Sequence, residues 1–311
     1  MTSSAHVNFN AVEKLMSNGH NHLHAQNKIV LPPGERPDMS KVCHSYKFPV
    51  IDLKDLDGPQ RINVVNDIRR ACDEDGFFQI INHGVPETVM KSMMDIAREF
   101  FEMPVEERVC LYSEDPRQAR GCREVLQGDK NTSLKLLAAI SKALGQDSDY
   151  LNEIFGKPSQ VLRINYYPAC PNPDVTFGMV PHSDPGGITV LMQGDVSGLQ
   201  VLKDGKWFAV KPTPNAFVAD VADQIEVVSN GRFKSAEHGA VTNTTTAHIS
   251  IPTFYGPSSD TFVAPAASMV DEERPALYRS YKFEEYMAAF WSQCGLKGKR
   301  ILDRFKIEIS P

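Results

Sequence analysis

Short apolar segments, each bounded by turn residues, fill the second half of the chain and constrain its fold more than any other feature. Gly, Pro, Asn or Asp residues border every one of them, as is typical of strands in an all-β unit. Asp204-Gly205 stands between two such segments and predicts a tight hairpin. The predicted strands are 161–167, 188–193, 199–202, 207–210, 216–221, 225–229 and 248–255. Strands this short and this closely spaced predict a double-sheet roll or barrel.

The first half of the chain has a different pattern, with apolar residues at helical spacing. Helices are predicted at 61–75, 87–101, 134–144 and 149–155, the third of them beginning a little before Leu134. Strands are predicted at 48–53 and 76–82, and a closing helix at 283–293. The predicted fold class is therefore α+β, with N-terminal helices packed on a β roll. The predicted divisions are a loose arm at 1–45, a helical region at 46–145, a roll at 156–260 and a closing segment at 261–311.

Charge and composition exclude several classes of function. The chain has 33 Lys and Arg against 39 Asp and Glu, a net charge of -6, which argues against nucleic-acid binding. Its apolar runs fall short of the roughly 18 residues that a membrane span needs. Residues 1–19 carry no apolar signal segment, and the six cysteines form no CxxC pair, so reduced thiols and a cytoplasmic location are expected.

A candidate metal site begins at His182 and Asp184. In extended backbone, side chains two residues apart project to the same face, so this pair is able to grip one ion. His238 lies beyond several predicted strands and is the best third ligand. Two histidines and one carboxylate with open positions are typical of non-haem Fe(II) oxygenases.

Other interpretations of these residues stay open at this point. Zinc accepts the same ligand types, although its catalytic sites usually keep one open position. The pair between Pro181 and Pro185 is also compatible with an ordinary turn in which Asp184 caps the backbone. A second histidine cluster in the polar N-terminal arm is interpreted as solvated, and its members are His20, His22 and His24.

Seven segments in one order carry a resemblance to a known family. They are FPVIDL at 48–53, GFFQIINHGVP at 76–86, NYYPACPNPD at 165–174, HSDPGGITVLMQ at 182–193, SGLQVLKDGKW at 197–207, DQIEVVSNGRFKS at 223–235 and ISIPTFYGPS at 249–258. With them the chain closely resembles the plant 2-oxoglutarate- and Fe(II)-dependent dioxygenases. It looks most like the branch with salicylate hydroxylases of the downy-mildew-resistance type, flavanone 3-hydroxylases and flavone synthases.

The resemblance implies a fold, cofactors and an activity. The fold is a double-stranded β-helix, a variant of the jelly roll, and the iron ligands are His182, Asp184 and His238. The cosubstrate 2-oxoglutarate chelates the iron, and its far carboxylate is held by Ser250 and Tyr167. O2 is the second cosubstrate, succinate and CO2 are released, and ascorbate is expected to be required in vitro. The implied substrate is a small aromatic metabolite, a flavonoid or a salicylate-like phenolic, and a monomer is expected.

The sequence departs from the family at several positions. Relatives carry an arginine two residues before Ser250, where this chain has His248. Asn165 is assigned to the same cosubstrate site by its motif position. A lost charged hydrogen bond costs roughly 1.5–3 kcal/mol, so weak, acid-favoured 2-oxoglutarate binding is predicted, with the histidine partly charged at neutral pH.

Further departures lie elsewhere in the chain. Relatives carry arginine at the position of Gly239, and asparagine and glycine at the positions of Asp220 and Ala222. The 105–133 region is shorter than in relatives, within about 112–123. A catalytically impaired family member that keeps the iron triad is therefore the alternative function.

Overall fold

The computed structural model describes residues 39–104, 106–107, 123–293 and 300–307. His20, His22 and His24 lie outside the described residues, as do most of the predicted N-terminal arm and residues 108–122 of the shortened interval. The helices are α1 (Arg61–Glu74), α2 (Glu87–Glu102), α3 (Arg123–Ala143), α4 (Tyr150–Phe155), α5 (Asp223–Val228) and α6 (Phe283–Gln293). The strands are β1 (Val50–Asp52), β2 (Phe77–Ile81), β3 (Ser159–Leu162), β4 (Asn165–Tyr167), β5 (Met179–His182), β6 (Ile188–Gln193), β7 (Leu199–Lys203), β8 (Lys206–Ala209), β9 (Phe217–Val221), β10 (His238–Ala240), β11 (His248–Gly256), β12 (Phe262–Val263) and β13 (Tyr281–Lys282).

Two sheets form the body of the roll. In the described part of the chain, the larger sheet has seven strands in the order β1-β2-β9-β6-β11-β3, with β4 also paired to β11. The smaller sheet has four strands in the order β5-β10-β7-β8. Side chains from both sheets meet in one apolar cluster that includes Phe77, Leu191 and Val218 from the larger sheet and Leu199 and Val201 from the smaller one.

The N-terminal helices cover the other face of the larger sheet. Phe77 and Phe78 are consecutive in β2 and show how the alternation of a strand divides the core. Phe77 belongs to the cluster between the sheets, whereas Phe78 packs in the cluster that includes Ile68 of α1 and Leu136 of α3. Both phenylalanines are fully buried, and burying such a side chain contributes roughly 1.5–3 kcal/mol. The predicted α+β arrangement, helices packed on a β roll, is confirmed.

Four predictions of secondary structure need correction. The segment 225–229, predicted as a strand because of its β-branched residues, forms the helix α5. Burial of all six residues of α5, and the use of its first N–H groups by a neighbouring loop, override β propensity here. The predicted strand 161–167 is divided into β3 and β4, and α3 begins at Arg123, well before Leu134. The short strands β5 and β10 were not predicted as strands, although they carry His182 and His238.

Aromatic residues pack together in the C-terminal part, and the hydroxyls of two of them, Tyr281 and Tyr286, donate to side chains of α5. The rings of Tyr281 and Tyr286 both contact Phe305, at centroid distances of 4.3 and 5.3 Å. Each of the three side chains is almost fully buried. Within the described ranges, no helix combines the length and the apolar character that crossing a bilayer requires.

Candidate metal centre and cosubstrate patch

His182 and His238 are paired across the smaller sheet. They are direct partners in the antiparallel strands β5 and β10, so their side chains project to the same face. Their ring centroids are 4.4 Å apart. Asp184 follows β5 by two residues, and its Oδ1 lies 3.5 Å from Nε2 of His182 and 3.8 Å from Nε2 of His238. One ligand atom from each residue lies within 4.8 Å of the others, so the three predicted ligands come together.

Backbone carbonyls orient both imidazole rings. Nδ1 of His182 is 2.9 Å from the carbonyl oxygen of Val180, and Nδ1 of His238 is 3.2 Å from that of Ala236. In the tautomer that these bonds require, each Nδ1–H donates to the carbonyl and each Nε2 keeps its lone pair. A second hydrogen bond of this kind is what fixes the ring of a metal-binding histidine. Both Nε2 atoms are therefore set to accept a cation.

The carboxylate of Asp184 is buried and ionised. Its Oδ2 accepts a short hydrogen bond from the hydroxyl of Thr189, which leaves Oδ1 facing the two histidines. Burial raises the pKa of Asp184, but the charges of His238 and His182 and the Thr189 bond outweigh it and hold the pKa well below its usual range. Burial also lowers the pKa of His238 to about 4. At neutral pH the centre thus offers a carboxylate and a neutral imidazole, which is the protonation state that metal binding needs.

The ring of His182 titrates differently and stands nearer to solvent. Its side chain is 30% exposed, against 3% for Asp184. Burial lowers the pKa of His182, but the hydrogen bond and charge of Asp184 outweigh burial and raise it. Because a metal binds the deprotonated ring, the raised pKa makes metal uptake at His182 dependent on pH.

Asp220 is a second buried carboxyl next to the centre. It lies on β9, directly opposite Thr189 of β6. Burial, together with the neighbouring charge of Asp184, raises its pKa well above the usual range. The raised pKa favours the protonated form of Asp220, which hydrogen-bonds to Asp184 and avoids the cost of a second buried charge.

The four residues predicted to contact 2-oxoglutarate form a patch on β4 and β11. His248 is the direct partner of Tyr167, and Ser250 is the direct partner of Asn165. Asn165 Nδ2 donates to Ser250 Oγ at 3.3 Å, and the ring of Tyr167 stacks on that of His248 at 4.4 Å. We call these four residues the cosubstrate patch. The structure brings all of them together.

His248 is buried in the patch without a partner for Nδ1. This nitrogen has no hydrogen bond in the structure, and the residue is only 6% exposed. The ring packs on Gly198, where any added Cβ would clash with Nε2. Burial lowers the pKa of His248 to about 4. The prediction of a partial positive charge at neutral pH is therefore wrong, because the ring is neutral there.

Arg163 lies near the patch and was missed by the sequence analysis. It is half-buried in the break between β3 and β4. Burial raises the pKa of Tyr167, while its bond to Ser250 and the charge of Arg163 oppose that rise. The alternation of Arg163, Asn165 and Tyr167 was the available signal, because residues two apart share one face of a strand.

Comparisons with known proteins bear directly on this centre. A family model of the 2OG-Fe(II) oxygenase superfamily matches residues 158–257. A second model, described as the non-haem dioxygenase in morphine synthesis N-terminal region, matches residues 48–151. Protein DMR6-LIKE OXYGENASE 1 of Arabidopsis thaliana is 41% identical over 342 residues, covering 95% of this chain and 98% of that protein. The chain belongs to the 2-oxoglutarate- and Fe(II)-dependent oxygenase superfamily.

Other relatives in this superfamily are also similar along most of the chain. Flavanone 3-dioxygenase 2 of Oryza sativa subsp. japonica is 33% identical over 327 residues, covering 90% of this chain and 93% of that protein. The crystal structure of JOX2 in complex with 2OG, Fe and JA superposes with a TM-score of 0.83 at 31% identity, covering 96% of this chain and 97% of that one. The roll is thus the jelly-roll fold of these oxygenases.

Membership settles the class of chemistry. The chain is a 2-oxoglutarate-dependent dioxygenase whose cofactor is Fe(II) and whose cosubstrates are 2-oxoglutarate and O2. The comparisons give no support to the catalytically impaired alternative. The alignment with DMR6-LIKE OXYGENASE 1 runs over 342 positions, more than the 311 residues of this chain, so the chain is shorter within the aligned region.

Proposed function

We propose that this dioxygenase hydroxylates or desaturates a small aromatic metabolite, a flavonoid or a salicylate-like phenolic, with release of succinate and CO2. The observation that carries the chemistry is the convergence of His182, Asp184 and His238 on one point. The similarity to flavanone 3-dioxygenase 2 supports an aromatic substrate. We further propose that the protein is a cytoplasmic monomer with no nucleic-acid or membrane partner, and that ascorbate sustains turnover in vitro.

We assign the iron to His182, Asp184 and His238. The donor set fits, since it has two imidazole nitrogens and one carboxylate oxygen, and each of these side chains is held by a further bond. When bound, Fe(II) supplies O2 activation coupled to oxidative decarboxylation of 2-oxoglutarate. The carbonyls of Val180 and Ala236 hold the two rings, and the Thr189 hydroxyl holds Asp184.

We assign 2-oxoglutarate binding to the cosubstrate patch. The unpartnered Nδ1 of His248 is the buried polar atom that a carboxylate oxygen would satisfy by accepting a hydrogen bond. The hydroxyls of Ser250 and Tyr167 and the amide of Asn165 add polar groups on the same face. Because His248 is neutral, we assign the positive charge that acts on this patch to Arg163, whose charge opposes the rise in the pKa of Tyr167.

The test is succinate formation by the full chain with Fe(II), 2-oxoglutarate, ascorbate and a panel of flavanones and hydroxybenzoates. We expect succinate release to rise with at least one aromatic substrate, and the product to gain one oxygen atom or to lose two hydrogen atoms. His182→Ala should abolish both signals, whereas His44→Ala, a change at an exposed histidine, should leave both intact. Substrate-dependent succinate release that survives His182→Ala would contradict the proposal.

A further inference from the structure

Hydrogen bonds from the start of helix α5 hold the loop that carries Asp184. We call residues 183–187 the metal loop. Its successive carbonyl oxygens accept hydrogen bonds from the first residues of α5 and from the residue before it. The bonds run from Asp223 N to Asp184 O (3.0 Å), from Gln224 Nε2 to Pro185 O (2.8 Å), from Gln224 N to Gly186 O (2.9 Å) and from Ala222 N to Gly187 O (2.9 Å).

Side chains of α5 add to this contact and are themselves held in turn. Asp223 is completely buried, and its Oδ2 accepts a hydrogen bond from Ser183 of the metal loop at 3.1 Å. The same oxygen accepts a short bond from the Tyr286 hydroxyl. Arg300 donates to Asp223 Oδ1 at 2.9 Å and also to Glu226. The Tyr281 hydroxyl donates to Gln224 Oε1 at 2.9 Å.

The contacts form two continuous chains from the C-terminal part of the protein to the metal loop. One runs from Tyr281 through the amide of Gln224 to the carbonyl of Pro185. The other runs from Tyr286 and Arg300 through the carboxylate of Asp223 to Ser183. These C-terminal groups are not metal ligands. They hold the side chains of Gln224 and Asp223, which in turn hold the metal loop. Outer partners of this kind set the orientation of a ligand and the affinity for its metal.

We propose that Tyr281, Tyr286 and Arg300 are positioning residues for the metal: they hold Gln224 and Asp223, and thereby the loop that presents Asp184. The proposal rests on the assignment of the metal to His182, Asp184 and His238. It gives Tyr281, Tyr286 and Arg300 a role in metal affinity that lies beyond their packing. It also explains why the carboxylates of Asp223 and Glu226 are buried beside the half-buried Arg300, where apolar packing alone would be simpler.

The test is an anaerobic titration of the metal-free full chain with Co(II), followed by its visible absorption bands. The double variant Tyr281→Phe/Tyr286→Phe removes two hydroxyls and keeps both rings. Tyr46→Phe is the matched control, because the Tyr46 hydroxyl donates to another buried carboxylate, that of Asp75, at 2.7 Å, in a network away from α5. We expect the Co(II) dissociation constant of the double variant to rise about tenfold, with altered band intensities, and that of Tyr46→Phe to stay within about twofold.

Thermal melts of the metal-free proteins separate positioning from stability. A purely structural role predicts a lower melting temperature for the double variant with an unchanged Co(II) dissociation constant and spectrum, and that result would overturn the proposal. Arg300→Gln should weaken Co(II) in the same direction, while Arg274→Gln, at an exposed pair with Asp271, should not. Absence of Co(II) bands in the wild-type chain would instead contradict the metal assignment itself.

Discussion

At the metal centre, each of the three candidate ligands has one polar atom held by a defined hydrogen-bond partner. The rings of His182 and His238 donate to carbonyls, and Asp184 accepts from Thr189. In the cosubstrate patch, Asn165 and Ser250 share one bond of 3.3 Å, and Nδ1 of His248 is buried with none. The comparison teaches that hydrogen bonds already hold the side chains of the candidate metal centre in place. The cosubstrate patch instead keeps a buried polar atom that a ligand would have to satisfy.

The largest expected effect lies at the metal centre. His182→Ala removes one of the three ligands, and we expect Fe(II) or Co(II) affinity to fall roughly a hundredfold or more, beyond the 10–100-fold typical of outer partners. Equilibrium titration of the metal-free chain measures it, with His44→Ala as the control. An unchanged metal affinity in His182→Ala would mean that His182, Asp184 and His238 do not form the metal site.

Burial of His248 in the cosubstrate patch should make the free energy of unfolding depend on pH. The pKa of His248 is lowered by burial from 6.5 to about 4, so the unfolded state binds the extra proton between these values. Stability is therefore present above about pH 6.5 and is lost as the pH falls toward 4, by roughly 3 kcal/mol for this one group.

His248→Phe keeps a ring that stacks on Tyr167 but removes the imidazole that takes up a proton on unfolding. Denaturant unfolding of the metal-free proteins between pH 7 and pH 4 should give a flatter profile for the variant, while the other buried histidines contribute equally to both. Parallel profiles would show that His248 is not buried as a neutral ring.

Affinity for 2-oxoglutarate should respond to charge at position 248. His248→Arg supplies a permanent charge and a planar fork, and we expect binding to tighten about ten- to hundredfold at neutral pH. Pyruvate, a 2-oxo acid without a far carboxylate, is the control ligand and should bind both proteins alike. Equal 2-oxoglutarate affinities would show that this end of the patch does not meet the far carboxylate.

A smaller effect is expected at Arg163. Its charge acts on the patch from the break between β3 and β4, so Arg163→Gln should weaken 2-oxoglutarate about three- to tenfold, in the range of one modest charged interaction. Lys157→Gln, at an exposed position, is the control. Tighter binding in Arg163→Gln would contradict a role of this cation in the patch.

The sequence predicted those parts of the molecule that depend on local pattern. The strand at 188–193 and the helix at 283–293 have the predicted bounds, and the spacing of His182 and Asp184 put both on one side of the chain. The parts that failed depend on neighbours distant in sequence. Helix α5 has the β-branched composition of a strand and becomes helical because its N–H groups serve the metal loop. The raised pKa of Asp220 follows from its burial and from the nearby charge of Asp184, neither of which the sequence reveals.

The central claim is that His182, Asp184 and His238 hold one ferrous ion to which 2-oxoglutarate binds. Anaerobic addition of Fe(II) and then 2-oxoglutarate to the full chain tests it most directly through visible absorption. The account predicts one Fe(II) per chain and a weak visible band that forms on adding 2-oxoglutarate and is absent in His182→Ala. A wild-type chain that takes up no iron, or a band that persists unchanged in His182→Ala, would contradict it.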